Sequence, residues 1–236
     1  MNIISGIYWD KGRQEQNQDS LLVEQVLTKR GRILLAVVSD GIGSLKEGET
    51  ASGFVIERMR QCFYQELLPL IRKKRSIKDI RKCFLRNIYM LNQTMNLYGK
   101  NRELKLGATV SLLFLWGKRA VFVHLGDSRI YRITNKRVRL LTKDHIDGQG
   151  RLLKCSGSFA YREPDICFYS LRKNQGFLLC TDGFYRHGEK SFEKEGLLPG
   201  DTESKEQIQR WLKQVALRAL RNGETDNMSA VYLVCR

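Results

Sequence analysis

Apolar residues fall first into short runs, then into helical steps, then into short runs again. Ile3–Trp9, Leu21–Thr28 and Ile33–Ser39 are rich in Val, Ile and Leu and are separated by glycine or charged residues, which predicts strands. Ala51, Val55, Met59 and Cys62 then recur at three- and four-residue steps, and Ile77, Ile80, Phe84, Ile88, Leu91, Met95 and Tyr98 do so more cleanly. Each spacing predicts a helix with one apolar stripe, lying on a sheet rather than inside it. Ser76-Ile77-Lys78-Asp79 opens the second helix as a capping box, and Pro69 is expected to stop the first. Strands return at Val110–Trp116, Ala120–Leu125, Ile130–Thr134, Arg137–Leu141, Ile166–Leu171 and Phe177–Thr181, with tight hairpins at Gly117-Lys118-Arg119 and Asn135-Lys136. A helix near Glu206–Arg221 carries Ile208, Trp211, Leu212, Val215 and Ala219 on one face, and Met228–Cys235 is the last strand. This order predicts an α+β layering.

Several apolar runs end in an acid. Ala36-Val37-Val38-Ser39-Asp40-Gly41, Leu125-Gly126-Asp127-Ser128 and Leu179-Cys180-Thr181-Asp182-Gly183 share this form, and Asp226-Asn227 opens the last strand. Such an acid sits where a strand leaves the core and meets water. Strand-end carboxylates gathered at one end of a sheet would make an all-oxygen site, which hard cations such as Mg²⁺ or Mn²⁺ use. Singly, each Asp-Gly is also ordinary turn chemistry.

The chain has 236 residues, 3 prolines and no Ser/Gly-rich or Pro-rich linker, which fits one domain. A core of that size needs no staples. No signal peptide is expected at the N-terminus, and no uncharged apolar run reaches the ~18 residues of a membrane span. The six cysteines, Cys62, Cys83, Cys155, Cys167, Cys180 and Cys235, show no C-x-x-C spacing. They read as reduced core thiols of a cytoplasmic protein, and a zinc site is not expected. The formal net charge is +16. Arg72-Lys73-Lys74-Arg75, Lys78, Arg81-Lys82 and Arg86 form one basic stretch, and Arg132, Lys136, Arg137 and Arg139 another. Such charge attracts anions at long range, although a solvated helix face has the same composition. No basic stripe interleaved with aromatics marks specific nucleic-acid readout.

The order of the motifs says more than any one of them. Asn17-Gln18-Asp19-Ser20, Ser39-Asp40-Gly41, Gly48-Glu49-Thr50-Ala51-Ser52 and Gly107-Ala108-Thr109 are followed by Gly126-Asp127-Ser128-Arg129-Ile130-Tyr131 and Leu141-Thr142-Lys143-Asp144-His145. Cys180-Thr181-Asp182-Gly183 and Asp226-Asn227-Met228-Ser229 complete the series. In this order the chain resembles, from about Ile3 to Val234, the metal-dependent Ser/Thr protein phosphatases (the PPM or type 2C family) in compact bacterial form. The resemblance implies two packed antiparallel β-sheets, a β-sandwich, flanked by α-helices on both faces, in a single phosphatase domain over residues 1–236. It implies hydrolysis of phosphoserine and phosphothreonine in proteins by a metal-activated water, with two Mn²⁺ or Mg²⁺ ions and room for a third in bacterial relatives. By that resemblance Asp40 bridges both ions, the Gly41 carbonyl binds one, and Asp182 and Asp226 hold the other. Asp40, Asp182 and Asp226 are thus the catalytic set. Asp127 is the candidate for a third ion, with Gln18 and Asp19 behind the ligands.

Departures from the family pattern also matter. Gln18 stands where most relatives have Glu, and Gln14 where they have the phosphate-binding Arg. Arg13 is one residue away, and in a strand it would serve only through a bulge. Only a short segment separates His145 from Ser156, so the flap subdomain is shortened. Ile42 stands where eukaryotic relatives have a His, leaving water to protonate the leaving group. The implied partners are phosphorylated Ser/Thr proteins and a cognate Ser/Thr kinase, with no specific nucleic acid, no membrane span and a monomeric state. Gln14, Gln18 and the short flap keep open an alternative, a catalytically weak metal-binding sensor or pseudophosphatase on the same fold.

Overall fold

The computed structural model describes residues 2–29, 31–43, 45, 47–190, 192 and 204–236. Side chains alternate across each strand, and here both faces are buried. In β3 (Gly31–Asp40), Ile33, Leu35 and Val37 face a helical layer, while Leu34, Ala36 and Val38 face a second sheet. In β12 (Met228–Cys235), Val231 and Leu233 join that inner layer, and Ala230, Tyr232 and Val234 face the opposite helical side. Continuous apolar runs, rather than polar alternation, follow from this double burial.

The first sheet has the order β1 (Ile3–Asp10), β12, β11 (Gln175–Cys180), β7 (Arg129–Thr134), β8 (Arg137–Leu140). The second has the order β10 (Asp165–Ser170), β6 (Arg119–Leu125), β5 (Val110–Trp116), β3, β2 (Asp19–Thr28). Every pairing is antiparallel, including the short pair β4 (Gly107–Ala108) with β9 (Ser156–Gly157). Leu113, Phe177, Leu179 and Leu233 fill the space between the sheets. Helices α1 (Gly48–Cys62) and α3 (Ile77–Asn101) cover the second sheet through Val55, Met59, Phe84 and Ile88. A short helix α4 (Asp182–Tyr185) follows β11, and helix α5 (Lys205–Arg221) covers the first sheet through Ile208, Trp211, Leu212 and Val215. The fold is therefore the expected α+β sandwich of two antiparallel sheets with helices on both faces.

Pro69 does not stop the first helix as expected. The helix widens through one π-turn, Phe63–Leu67, in which the Leu68 N–H donates five residues back to the Phe63 carbonyl. It then continues as α2 (Leu68–Arg72). Pro69 falls in the first turn of α2, where a missing N–H costs little. Ser76 caps α3 in a reciprocal box with Asp79, as the sequence predicts.

The strand connections divide by charge. At one end lie Lys29 after β2, Lys118 between β5 and β6, Lys136 between β7 and β8, and Arg172 and Lys173 between β10 and β11. Lys74 and Arg75, from the turn before α3, share a groove with Lys118 and Arg119. Among the described residues, none of these cations forms an ion pair. The opposite end carries Asp10, Asp19, Asp40, Asp127, Asp182 and Asp226 at or beside strand ends. No described helix is long and apolar enough to cross a membrane.

Phe114 is fully buried between the second sheet and its helices and packs against Phe63, Phe84 and Trp116. Phe114→Ala should cost about 3–5 kcal/mol, and Ser76→Ala, which removes an exposed cap, about 1 kcal/mol. Urea midpoints of the two variants check this order. Equal losses would contradict the layer assignment of Phe114.

Candidate active site

Strand register brings the acids together. The β2–β3 pairing sets Asp19 opposite Asp40. Asp127 follows β6 in the same sheet, while Asp182 follows β11 after Thr181 and Asp226 precedes β12 in the other. Asp40, Asp127, Asp182 and Asp226 line one cleft of about 700 Å³, with Gln18, Gly41 and Ile42 on its wall. Asp19 lies just behind them, buried.

Side chains that cross between the sheets hold this end closed. The Thr181 hydroxyl donates to Asp19 Oδ2 at 2.9 Å. Asn227 Oδ1 accepts from the Gln18 N–H at 2.8 Å, and its Nδ2 donates to the carbonyls of Lys11 at 2.9 Å and Gln16 at 3.0 Å. Within the second sheet, the Asp40 N–H donates to Thr109 Oγ1 at 2.9 Å, and Thr109 Oγ1 shares a hydrogen bond with Ser128 Oγ at 2.7 Å. The glycines after the acids have a steric cause. A Cβ on Gly41 would collide with the Gly48 carbonyl oxygen, and one on Gly183 with the Asn227 carbonyl oxygen. Each Asp-Gly is a point where another backbone strand passes in contact.

Like charges in a half-closed space disfavour ionisation. Burial, then Asp19 and the other three cleft acids, raise Asp40 well above the ordinary carboxylate range. Burial raises Asp19 to about 7, against the hydrogen bond from the Thr181 hydroxyl. Burial and Asp182 raise Asp127 to about 6. Asp182 is also raised, mainly by burial, although Arg186 opposes the shift. Arg186 ion-pairs with Asp182 and lies 3.5 Å from Glu224 and 3.9 Å from Asp226. Among the described residues it is the cation that pairs with the cleft acids, and no motif in the sequence marks it. Asp19 Oδ1 and Asp182 Oδ1 are buried without a hydrogen-bond partner. Unpartnered carboxylate oxygens converging from two sheets fit a hard divalent cation.

Other motif residues build the frame. Arg129 donates to Asp144 from Nη2 at 2.8 Å, pairs with Glu189 at 3.1 Å and lies over the Tyr185 ring at 3.8 Å. His145 Nδ1 accepts from the Gly126 N–H at 3.1 Å, and its Nε2 is 3.2 Å from Asp165. These contacts fix the loop that carries Asp127. His124 is buried between Ser111 and the Lys143 carbonyl, and burial lowers it to about 4. Arg13 is not brought to the cleft. β1 keeps regular register to its end at Asp10, so residues 11–18 form a loop rather than a bulged strand. The Arg13 guanidinium there donates to the Leu220 carbonyl at 3.2 Å. Between β8 and β9 there is no helix, only a turn held by Asp147 and Arg151, and this short segment puts Arg151 on the cleft wall. Arg162, beyond β9, joins it there.

The raised Asp19 has a thermodynamic signature. In excess chelator, the folded protein keeps a proton that the unfolded chain releases above 3.8. The stabilisation is therefore full below that value and is lost as pH rises through about 7. His124 acts with the opposite sign between about 4 and 6.5, so the informative quantity is a difference. The thermal midpoint of Asp19→Asn, relative to wild type, should climb between about pH 5 and about pH 8. A flat or falling difference would contradict the crowding of acids.

The sequence matches the protein phosphatase 2C family over residues 11–230. Protein phosphatase PhpP of Streptococcus pneumoniae is 24% identical over 134 residues, 56% of this chain and 51% of the relative, so the chain spans about half of that protein's length. Serine/threonine phosphatase stp of Listeria monocytogenes is 26% identical over 197 residues, 74% of this chain and 75% of the relative. The solved serine/threonine phosphatase of S. agalactiae shares the fold, with a TM-score of 0.77 at 19% identity over 100% of both chains. Stp1 of Staphylococcus aureus does so with a TM-score of 0.82 at 20% identity, over 100% of this chain and 96% of that one. A match from residue 11 to residue 230, on a sandwich whose two sheets converge on one group of acids, means that the chain belongs to the protein phosphatase 2C family.

Proposed function

We propose that this chain hydrolyses phosphoserine and phosphothreonine in proteins, by direct attack of water, at a centre of two Mn²⁺ or Mg²⁺ ions. The observation that carries this reading is the convergence of Asp40, Asp127, Asp182 and Asp226 from both sheets on one open cleft. The family match and the names of the relatives support it. Asp40, the Gly41 carbonyl, Asp182 and Asp226 would hold the two ions, with Asp127 as ligand to a third. When bound, such ions acidify a water and offset the charge of the phosphoryl oxygens. Asp19 and Asn227 hold the two sheets in register beneath the ligands. Among the described residues no histidine lines the cleft, so the leaving oxygen would take its proton from water. Arg151 and Arg162 stand on the wall where a phosphate or an acidic peptide would enter. The natural counterpart is a Ser/Thr kinase whose products the chain reverses.

A metal-binding sensor with little turnover is the second reading. Gln18, and an Arg13 engaged with α5, favour it; the intact set Asp40, Asp182 and Asp226 opposes it. Phosphate release from a phosphothreonine peptide separates the two. Excess chelator should abolish release and Mn²⁺ should restore it, and Asp182→Asn and Asp226→Asn should each reduce it by roughly 100-fold or more. Undiminished release in chelator, or near-normal turnover in both variants, would sink the two-ion reading. A wild type that binds Mn²⁺ but releases no phosphate would leave the sensor.

The arginines give a separate outcome. Arg13→Ala should leave KM unchanged, because its guanidinium is committed to Leu220. Arg162→Ala should raise KM about tenfold, the worth of one charge-assisted hydrogen bond. The reverse pattern would return Arg13 to the phosphate.

A further inference from the structure

Away from the cleft, the helical layer over the second sheet holds a cluster that linear spacing conceals. Cys62 ends α1 and Cys83 lies in α3, and their sulfurs are 3.7 Å apart. Both thiols are buried. The Cys83 thiol donates to Glu66 Oε2 at 3.3 Å. One donor atom from each of Cys62, Glu66 and Cys83 lies within 4.8 Å of the other two. Glu66 is four residues after Cys62, and Asn87 is four residues after Cys83, so the two helices present matching pairs to each other. Among the described residues, no other group of three His, Cys, Asp or Glu is this close.

We propose that Cys62, Glu66 and Cys83, with a water as fourth ligand, form a thiolate-containing site for a borderline divalent ion such as Zn²⁺, which ties α1 to α3. Distances support it. A tetrahedral ion with Zn–S near 2.3 Å sets its sulfurs about 3.8 Å apart, close to the separation seen. Asn87 is fully buried beside the cluster. Its Nδ2 donates to the Cys83 carbonyl at 2.9 Å and lies 3.1 Å from Glu66 Oε2 and 3.7 Å from Cys83 Sγ, so it holds both ligands in place from behind.

Charge and chemistry also balance. Arg86 pairs with Glu66 at the solvent side. With both thiols ionised, the filled site including Arg86 is formally neutral, so no net charge is buried. Binding breaks two S–H bonds, forms two metal–sulfur bonds and releases two protons to solvent, with no redox step. Without an ion, the hydrogen bond to Cys83, burial and the nearby Glu66 keep the Cys62 thiol protonated, well above its ordinary value. The π-turn Phe63–Leu67 directly follows Cys62 and contains Glu66, and such turns recur at binding sites.

The test is Co²⁺ added to the full chain after chelation, under reducing conditions. Cobalt on thiolate gives a charge-transfer band that cobalt on carboxylates does not. The band should appear in wild type, persist in Asp182→Asn and in Cys155→Ser and Cys167→Ser, and vanish in Cys62→Ala and Cys83→Ala. If the alanine variants fail to fold, mass-mapped alkylation of wild type decides instead, and Zn²⁺ should protect Cys62 and Cys83 selectively. A wild type with no band at saturating Co²⁺, or a band that survives both folded alanine variants, would overturn the proposal. Alkylation of Cys62 and Cys83 that Zn²⁺ does not slow would overturn it as well. So would a reduced protein without the band that forms a Cys62–Cys83 disulfide in air, which would assign the pair to redox chemistry.

Discussion

Repulsion between carboxylates is the constraint around which this fold is arranged. Asp19, Asp40 and Asp127 come from one sheet, and Asp182 and Asp226 from the other. Among the described residues, only Arg186 and a few hydrogen bonds hold the group together. The free energy that brings the acids together comes from the apolar layer between the sheets, where Leu34, Leu113, Phe177 and Leu233 are fully or almost fully buried. That layer can be crowded with hydrophobes because both sheets are covered again on their outer faces. The core thus fixes the separation of the acids, and the crossing bonds of Thr181 and Asn227 fix their register.

The layering was legible in the sequence because double burial leaves a strong signal. Strands such as Ala36-Val37-Val38 and Val231-Tyr232-Leu233 have no polar face to confuse the period. The acids were legible for the same reason, since each marks the place where an apolar run meets solvent. Their cooperation across two sheets came from motif order rather than from any local pattern. Pro69 was misread because proline stops a helix only when its position needs an N–H, and a π-turn upstream moved that need elsewhere. Arg13 was placed on a strand that had already ended at Asp10.

What stayed hidden depends on contacts between residues far apart in the chain. Thr181 meets Asp19 across 162 positions and Asn227 meets Gln18 across 209. No window of sequence contains such a pair. Arg186 is a basic residue one helical turn after Asp182, a spacing that on most helices is only a surface pair. Cys62 and Cys83 are separated by 21 positions and a proline-bearing turn. Their spacing fits no metal motif, yet two facing helices bring them into contact.

The separation of charge along the strands makes this chain an electric dipole. Its positive pole is the hairpin end with Lys29, Lys118, Lys136, Arg172 and Lys173, and its negative pole is the acid cleft. A polyanionic surface exerts a torque on such a molecule, turning the hairpins inward and the cleft outward, within a reach of ~10 Å at 0.1 M salt. Two encounters thereby become geometrically distinct. A large anion is met by one end of the sandwich, while the proposed substrate, a phosphorylated side chain, would enter by the other, past Arg151 and Arg162.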